Sequence, residues 1–354
     1  MNYLHNSKSI KIAGGGVAGL SAAISLKKLG YNPIVFEKCS AVGENRHGDY
    51  EGLENWIFST SMNSFFNQVG FDFNKITTFP ISKFTVHTKT FSPLNISSKK
   101  PFFYMVKRGR NNRDFDNQLF DQCKDMNIQF ELGTKAPKDS SIIATGTKKA
   151  AAYIRGINFK SSLKDQVHLL LGRQFALKGY AYLIIINGHG TLASAFKKNK
   201  RKNIDNIQNC LKYFQSIGID IVDGKEFGSR GSFSLPFGNF KLPYLIGESG
   251  GYQDYLFGFG MRMSMISGLA AALSIARKKN EALALLSDVN KKRRVSFINR
   301  LFYERLNNYQ LASFANKIAN VDNPLAVLSS AYKWDIKNLV RWKKINKNYE
   351  IRPT

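Results

Sequence analysis

The most regular hydrophobic patterning lies in the first fifty residues. Ile10-Lys11-Ile12-Ala13 is an apolar run of strand length, and small and apolar residues then recur with helical spacing from Leu20 to Leu29, where Gly30 stops them. Asn32 to Phe36 is a second apolar run, closed by Glu37. The pattern predicts strand, helix and strand, the unit from which parallel sheets are built. Farther along, Ser140-Ser141-Ile142-Ile143-Ala144-Thr145-Gly146 and Pro243-Tyr244-Leu245-Ile246-Gly247-Glu248 each predict a buried strand running into glycine. Apolar and polar positions alternate from Phe79 to His87, which predicts one antiparallel strand, and Gly179 to Asn187 predicts another, mostly apolar one. Helical spacing covers Asn203 to Ile217 and Met261 to Ala276. Beyond Arg277 the chain also reads as helices: Ile298, Leu301, Phe302 and Leu306 mark one apolar face, with Arg300 and Arg305 on or beside its borders. There is no internal repeat and no low-complexity linker.

Between the first strand and its helix stands Gly14-Gly15-Gly16-Val17-Ala18-Gly19, a G-x-G-x-x-G motif, and Glu37 follows 18 residues after Gly19. Strand, glycine motif, helix, strand and acid come in the order that a dinucleotide requires. Gly14 permits a tight turn, Gly16 lets a pyrophosphate approach the backbone, and Gly19 lets helix and strand pack closely. Val17 and Ala18 open the helix, whose free N–H groups and positive dipole end face the phosphates. Glu37, with Lys38 beside it, meets the adenosine ribose. A carboxylate there repels a 2′-phosphate, which argues against NADP.

The segments that follow decide between FAD and NAD. The strand ending in Ala144-Thr145-Gly146, the strand ending in Gly247-Glu248, and Gly258-Phe259-Gly260 before a small-residue helix come in that order. With them the chain resembles the glutathione-reductase-like FAD proteins, in particular the geranylgeranyl-reductase-like branch. The resemblance extends to Arg46-His47-Gly48-Asp49-Tyr50-Glu51-Gly52, to Lys107-Arg108-Gly109-Arg110 with Phe115-Asp116-Asn117-Gln118-Leu119, and to Gly179-Tyr180-Ala181-Tyr182-Leu183 with Gly188-His189-Gly190. It implies FAD as cofactor. It also implies contacts from Arg46, His47, Gly48 and Arg108, with Arg110 behind them, and from Ala144, Thr145, Gly146, Gly247, Glu248, Gly258, Phe259 and Gly260. Glu248 stands where aspartate is usual. The implied fold is α/β, a Rossmann-type FAD-binding domain (parallel sheet with helices) interrupted by a β-rich substrate domain and followed by a helical segment. The expected divisions are 1–78, 101–154 and 241–280 for the FAD domain, 79–100 and 155–240 for the substrate domain, and 281–354 for the basic helical segment.

The same resemblance implies reduction of a carbon–carbon double bond in a hydrophobic, isoprenoid-like or lipid substrate, with NAD(P)H or a reduced carrier as the external reductant. Tyr180 and Tyr182, alternate residues of one strand, share a face and are read as pocket wall or proton donors. His47, and more distantly His189, are further candidate donors. Asn45-Arg46-His47 stands where archaeal prenyl reductases carry a cysteine, and Tyr-Ala-Tyr-Leu-Ile-Ile replaces their Tyr-x-Trp-x-Phe-Pro. An FAD monooxygenase, a redox-neutral cyclase and a non-catalytic, membrane-associated flavin carrier are the competing readings. The absence of a second glycine motif and of a Cys-x-x-Cys pair argues against disulfide reductases, and the absence of Trp-x-Trp-x-x-Pro against flavin halogenases.

Composition changes this picture in one respect. Fifty-two Lys and Arg against 25 Asp and Glu give +27, and Arg277 to Thr354 alone carries 17 basic and 6 acidic residues. Such a segment attracts anionic membrane surfaces, and no nucleic-acid-binding motif supports the other polyanion. Three cysteines, Cys39, Cys123 and Cys210, form neither a disulfide framework nor a metal spacing. No apolar run reaches the about 18 residues of a membrane span, and none of signal-peptide length precedes the glycine motif. The expectation is a cytoplasmic protein, peripheral to the membrane through its basic end, with no metal.

Overall fold

A computed structural model describes residues 9–146, 152–197, 205–231 and 240–349. Ile12 and Ala13 point to opposite faces of their strand and both are buried, as are Val35 and Ile142 beside them. Strands covered on both faces belong in a parallel sheet layered with helices. That sheet has five strands in the order Tyr244–Leu245, Ile142–Ile143, Ser9–Ala13, Asn32–Glu37 and Gln129–Leu132, every neighbouring pair parallel. The register sets Ala13 beside Phe36 and Ile143, and Ile143 beside Leu245, so the carboxyl ends of four strands lie level. Helices Val17–Lys28 and Met261–Ile275 pack against each other, with the Ser21 hydroxyl donating to the Met265 carbonyl at 2.8 Å.

A second sheet has seven strands, in the order Lys225–Gly231, Ala152–Lys160, His189–Phe196, Tyr180–Ile186, Gln166–Leu170, Lys83–His87 and Leu94–Ser97. One face buries Phe159, Leu183, Ile185 and Leu192 under helix Asn206–Ser216 through Cys210 and Phe214. The other face carries Tyr182 and Ile184. A three-stranded sheet of Tyr50–Glu54, Phe103–Lys107 and Phe79–Ile81 packs there, joining Tyr50 and Met105 to Ile184 and Ile186.

Several expectations change. Phe79 to His87 is two strands in two sheets: Ile81 accepts from Phe102 at 2.7 Å in one, and Ser82 accepts from Ser98 at 2.9 Å at the start of the other. Strand Ala152–Lys160 runs through the division expected at 154, because Ala152 pairs with Gly231 and Tyr153 with Phe196. The helix expected from Asn203 is seen as Asn206–Ser216, capped by Asp205, which accepts from the Gln208 N–H at 3.1 Å; residues 203 and 204 lie outside the described residues. In the tail, Phe302 is exposed and Leu306 lies beyond the end of helix Lys279–Tyr303.

Arg300 is not at a solvent border. It is buried, donating to the carbonyls of Lys178 at 2.6 Å and Leu256 at 3.2 Å, and to Glu304 at 2.8 Å. Tyr303 donates to the Gly179 carbonyl at 2.7 Å. The helix thus pins the turn before strand Tyr180–Ile186 to the loop before Gly258-Phe259-Gly260, and part of the basic excess is structural.

Candidate active site

The glycine motif sits outside the level carboxyl ends of the parallel sheet, where open α/β sheets take their ligands. Gly14 has φ +102, and a Cβ on it would lie 2.5 Å from the Ala144 carbonyl oxygen; a Cβ on Gly19 would lie 1.9 Å from the Gly14 oxygen. Only glycine lets the loop, the helix and the Ala144-Thr145-Gly146 strand end meet this closely. At Gly16, by contrast, a Cβ would meet nothing within 4 Å. That residue starts helix Val17–Lys28, which has no side-chain cap and no acid in its first turn. The first-turn N–H groups therefore face open space, the geometry of an anion site. Glu37 closes the far side, accepting the Gly15 N–H at 2.8 Å and the Cys39 N–H at 3.0 Å. Lys38 beside it is exposed.

The second glycine cluster is built the same way. Ser249 donates to the Gly146 carbonyl at 2.8 Å, which sets Gly247 and Glu248 beside Ala144-Thr145-Gly146. Helix Met261–Ile275 begins at Gly260, again with no side-chain cap and no first-turn acid. The loop before it is shaped by Asp254, which is fully buried and accepts from Phe257 N–H at 2.8 Å, Leu256 N–H at 3.2 Å and the Tyr332 hydroxyl at 2.9 Å. Burial pushes the Asp254 pKa up, against the pull of these donors. Asp254 escaped the sequence reading. Its only local signal is an aspartate two and three residues before backbone donors it can bond, an Asx-type turn.

From Gly258-Phe259-Gly260 a cavity of about 310 Å³ opens between the sheets. Phe84, Val86, Phe103, Val167, Ile184 and Phe257 supply much of its wall, and Leu311, Ala315 and Ile318 of helix Asn308–Ala319 line it as well. Many of its polar groups lie on the segment from Asn45 to Glu51, with His168, Gln253, Arg300 and Tyr303 elsewhere on the wall. Tyr180 and Tyr182 both line it, as their shared face requires. They differ in one respect: Tyr180 donates its hydroxyl to the Phe257 carbonyl, whereas the Tyr182 hydroxyl has no hydrogen-bond partner among the described residues. Burial raises the pKa of both phenols.

Arg46 and His47 also line the cavity, both exposed, with His47 stacked on Phe227 at 5.1 Å between ring centroids. Their turn is held from the seven-stranded sheet: Asn158 donates to the His47 carbonyl at 2.8 Å, and His189 Nε2 donates to the Gly48 carbonyl at 2.9 Å. His189 is thus occupied as a positioning group. Of the glycine-rich segment expected at the pocket wall, Phe227 and Ser229 line the cavity, and 232–238 lie outside the described residues.

Arg108 stands elsewhere than a phosphate ligand would. It is buried, its Nε and Nη2 donate to Asp116 at 2.8 and 2.7 Å, and its Nη1 donates to Glu51. The guanidinium is held by carboxylates at all three nitrogens and does not line the cavity, because the Phe115–Asp125 helix brings Asp116 directly onto it. Arg110 behind it is exposed.

No family model and no curated protein sequence matches the chain. Solved structures do. A geranylgeranyl bacteriochlorophyll reductase-like protein from Thermoplasma acidophilum superposes with a TM-score of 0.68 at 15% identity, over 97% of this chain and 98% of that one. The chain has the fold of that protein. The flavin-dependent brominase Bmp2 gives a TM-score of 0.60 at 15% identity, covering 98% and 100% of the two chains. The tetracycline destructase Tet(51) gives 0.56 at 13% identity, covering 93% and 99%. The α/β class with a separate β-rich sheet and added helices is therefore shared with proteins of differing chemistry, a flavin-dependent brominase among them. In this flavoprotein fold the two glycine clusters meet at the sheet's carboxyl edge, and the second opens directly onto the apolar cavity.

Proposed function

We propose that the chain binds FAD and reduces a carbon–carbon double bond in a hydrophobic, isoprenoid-like substrate. The observation that carries this reading is the apolar cavity that begins at Gly258-Phe259-Gly260 and extends to helix Asn308–Ala319. A wall of phenylalanine, leucine, isoleucine and valine takes an apolar chain and excludes water. The open cradle at Gly16 and the uncapped helix starts at Gly16 and Gly260 suit a pyrophosphate and an electron-rich ring. Gly14 to Gly19, Glu37, Arg46, Gly247, Glu248 and Gly258 to Gly260 would hold the cofactor. When bound, a flavin supplies hydride transfer. The protein's own share is orientation: Tyr180 fixes the Phe257 loop against the cavity, and Arg300 and Tyr303 fix the strand that carries both tyrosines. The test is an anaerobic incubation of chemically reduced protein with isoprenoid alkenes of graded length. The expected product has gained two hydrogens per double bond. An oxygenated product formed only in air would replace this reading with the monooxygenase one.

An anionic membrane is the proposed source of such a substrate. Support comes from helix Ile336–Tyr349, where Ile336, Leu339 and Val340 recur at one-face spacing and are exposed at 81%, 37% and 60%. Lys337, Lys343 and Lys344 flank them, also exposed, and Arg341 lies 5.0 Å from the ring of exposed Phe302. An apolar ridge between lysines is the form of an interfacial helix. Among the described residues no helix is long and apolar enough to cross a membrane. Ile336→Glu with Val340→Glu is expected to weaken sedimentation with acidic-lipid vesicles by about tenfold or more, a loss of about 1.4 kcal/mol. Equal binding to neutral and acidic vesicles would contradict the proposal.

A further inference from the structure

The turn from Arg46 to Asp49 and the strand Tyr50–Glu54 bring three carboxyl groups and two guanidinium groups together beside the cavity. Asp116 takes two hydrogen bonds from Arg108 and a third from the Gly109 N–H at 3.1 Å. Glu51 takes the remaining face of Arg108 and lies 3.8 Å from Arg46. Both cations are thereby matched to two carboxylates. Asp49 is the third. Its backbone carbonyl accepts the Arg108 N–H at 2.9 Å, which fixes it at the cluster, and it is 7% exposed. Its side chain makes no hydrogen bond or ion pair with any other described residue, its own backbone N–H being the donor it meets, and it lines the cavity.

A buried carboxyl whose donor is only its own N–H, beside two carboxylates that already engage both guanidinium groups, is the group of the cluster that best retains a proton. We propose that Asp49 stands protonated in the resting protein and is the acid that delivers a proton to the substrate in the cavity. The proposal rests on the reductase reading above. In that reaction a hydride adds to one alkene carbon, forming its new C–H bond. The π pair then forms the second C–H bond with the proton leaving the Asp49 oxygen. The Asp49 carboxylate left behind recovers its proton from water at the exposed Arg46–His47 rim. Burial raises the Asp49 pKa and the charge on Glu51 adds to this, while Arg108, the Asp49 backbone N–H and Arg46 pull it back. Tyr182 is another donor facing the cavity without a partner among the described residues, but its phenol is pushed well above its ordinary range and is the poorer acid near neutrality, and the His47 ring lies at the exposed rim, stacked on Phe227. Tyr180 already donates to Phe257.

The test uses the full chain with FAD bound and two readouts. Aspartate labelled with ¹³C at the side-chain carboxyl, followed by NMR across pH, is expected to show, beside that of buried Asp254, a resonance titrating above the ordinary carboxylate range and absent in Asp49→Asn. In turnover, Asp49→Asn is expected to slow alkene reduction by roughly 10²- to 10³-fold, the span of a lost general acid, with flavin content, flavin reduction by dithionite and melting temperature unchanged. Asp49→Glu is expected to restore much of the rate. The wild-type rate should fall as pH rises through the titration seen by NMR, and the residual Asp49→Asn rate should not follow it. An Asp49 that titrates in the ordinary range, or an Asp49→Asn protein that turns over at the wild-type rate, overturns the proposal. A wild type that reduces no alkene while its Asp49 titrates high overturns the reductase reading and the acid role together. The NMR readout separates that failure from the loss of Asp49 alone.

Discussion

Gly16→Val should leave the protein folded and without flavin. The Gly16 backbone has φ −76 and ψ 178, which any residue adopts, and a Cβ there meets nothing within 4 Å. The folded chain therefore accommodates valine at little cost, and the melting temperature should hold. The new methyl groups would occupy the space in front of the first-turn N–H groups of helix Val17–Lys28. Two charge-assisted hydrogen bonds lost from a phosphate are worth about 3 kcal/mol, so FAD affinity should fall more than about 100-fold. Gly14→Val is the contrasting variant. Its φ of +102 and its 2.5 Å approach to the Ala144 oxygen should make it fail in folding as well as in binding. Fluorescence titration of both proteins with FAD, beside their melting curves, separates a blocked cradle from a broken one. Wild-type FAD affinity in Gly16→Val would remove the pyrophosphate from this loop.

The second large effect is on stability. Arg108→Ala strips the buried Asp116 of its bidentate partner and Glu51 of its nearer one. Breaking one side of a buried pair typically costs about 3–5 kcal/mol, which for a chain of this size corresponds to a fall of roughly 4–7 °C in melting temperature. Burial disfavours the Asp116 carboxylate, but Arg108 outweighs it and holds the Asp116 pKa below the ordinary range. The sign of the pH effect follows. A depressed carboxylate pKa stabilises the fold above the unfolded value, and that contribution is lost as pH falls toward the folded value. The gap between wild type and Arg108→Ala should therefore narrow in acid. Arg108→Met combined with Asp116→Leu should recover much of the loss, because it leaves neither charge of that pair stranded. A melting temperature for Arg108→Ala indistinguishable from wild type would contradict the buried cluster.

Local patterning carried far at the parallel sheet. The runs Ile10 to Ala13 and Asn32 to Phe36 are each consistent on their own with one structure, and the glycine spacing between them has a single mechanical use. Strand alternation likewise placed Tyr180 and Tyr182 on one face. Which of the two keeps a hydroxyl without a partner among the described residues depends on the Phe257 carbonyl, 77 residues away in the chain. The inward turn of Arg108 has the same origin, for basic residues look alike in sequence until a helix such as Phe115–Asp125 sets a carboxylate against one of them. Arg300 shows the limit of a face argument. Its side chain runs between two carbonyls, from Lys178 and Leu256, that only the assembled fold brings within reach. At Ser82 the alternation continues while the hydrogen-bond partner changes from one sheet to the other, a change that periodicity does not encode.

The most direct test of the account is the visible absorption spectrum of the purified protein, taken after gel filtration in the presence of added FAD and read against its protein content. Flavin bands that elute with the chain at close to one flavin per molecule are the expected result. A colourless protein that takes up no FAD would contradict the assignment of the two glycine clusters as one flavin site.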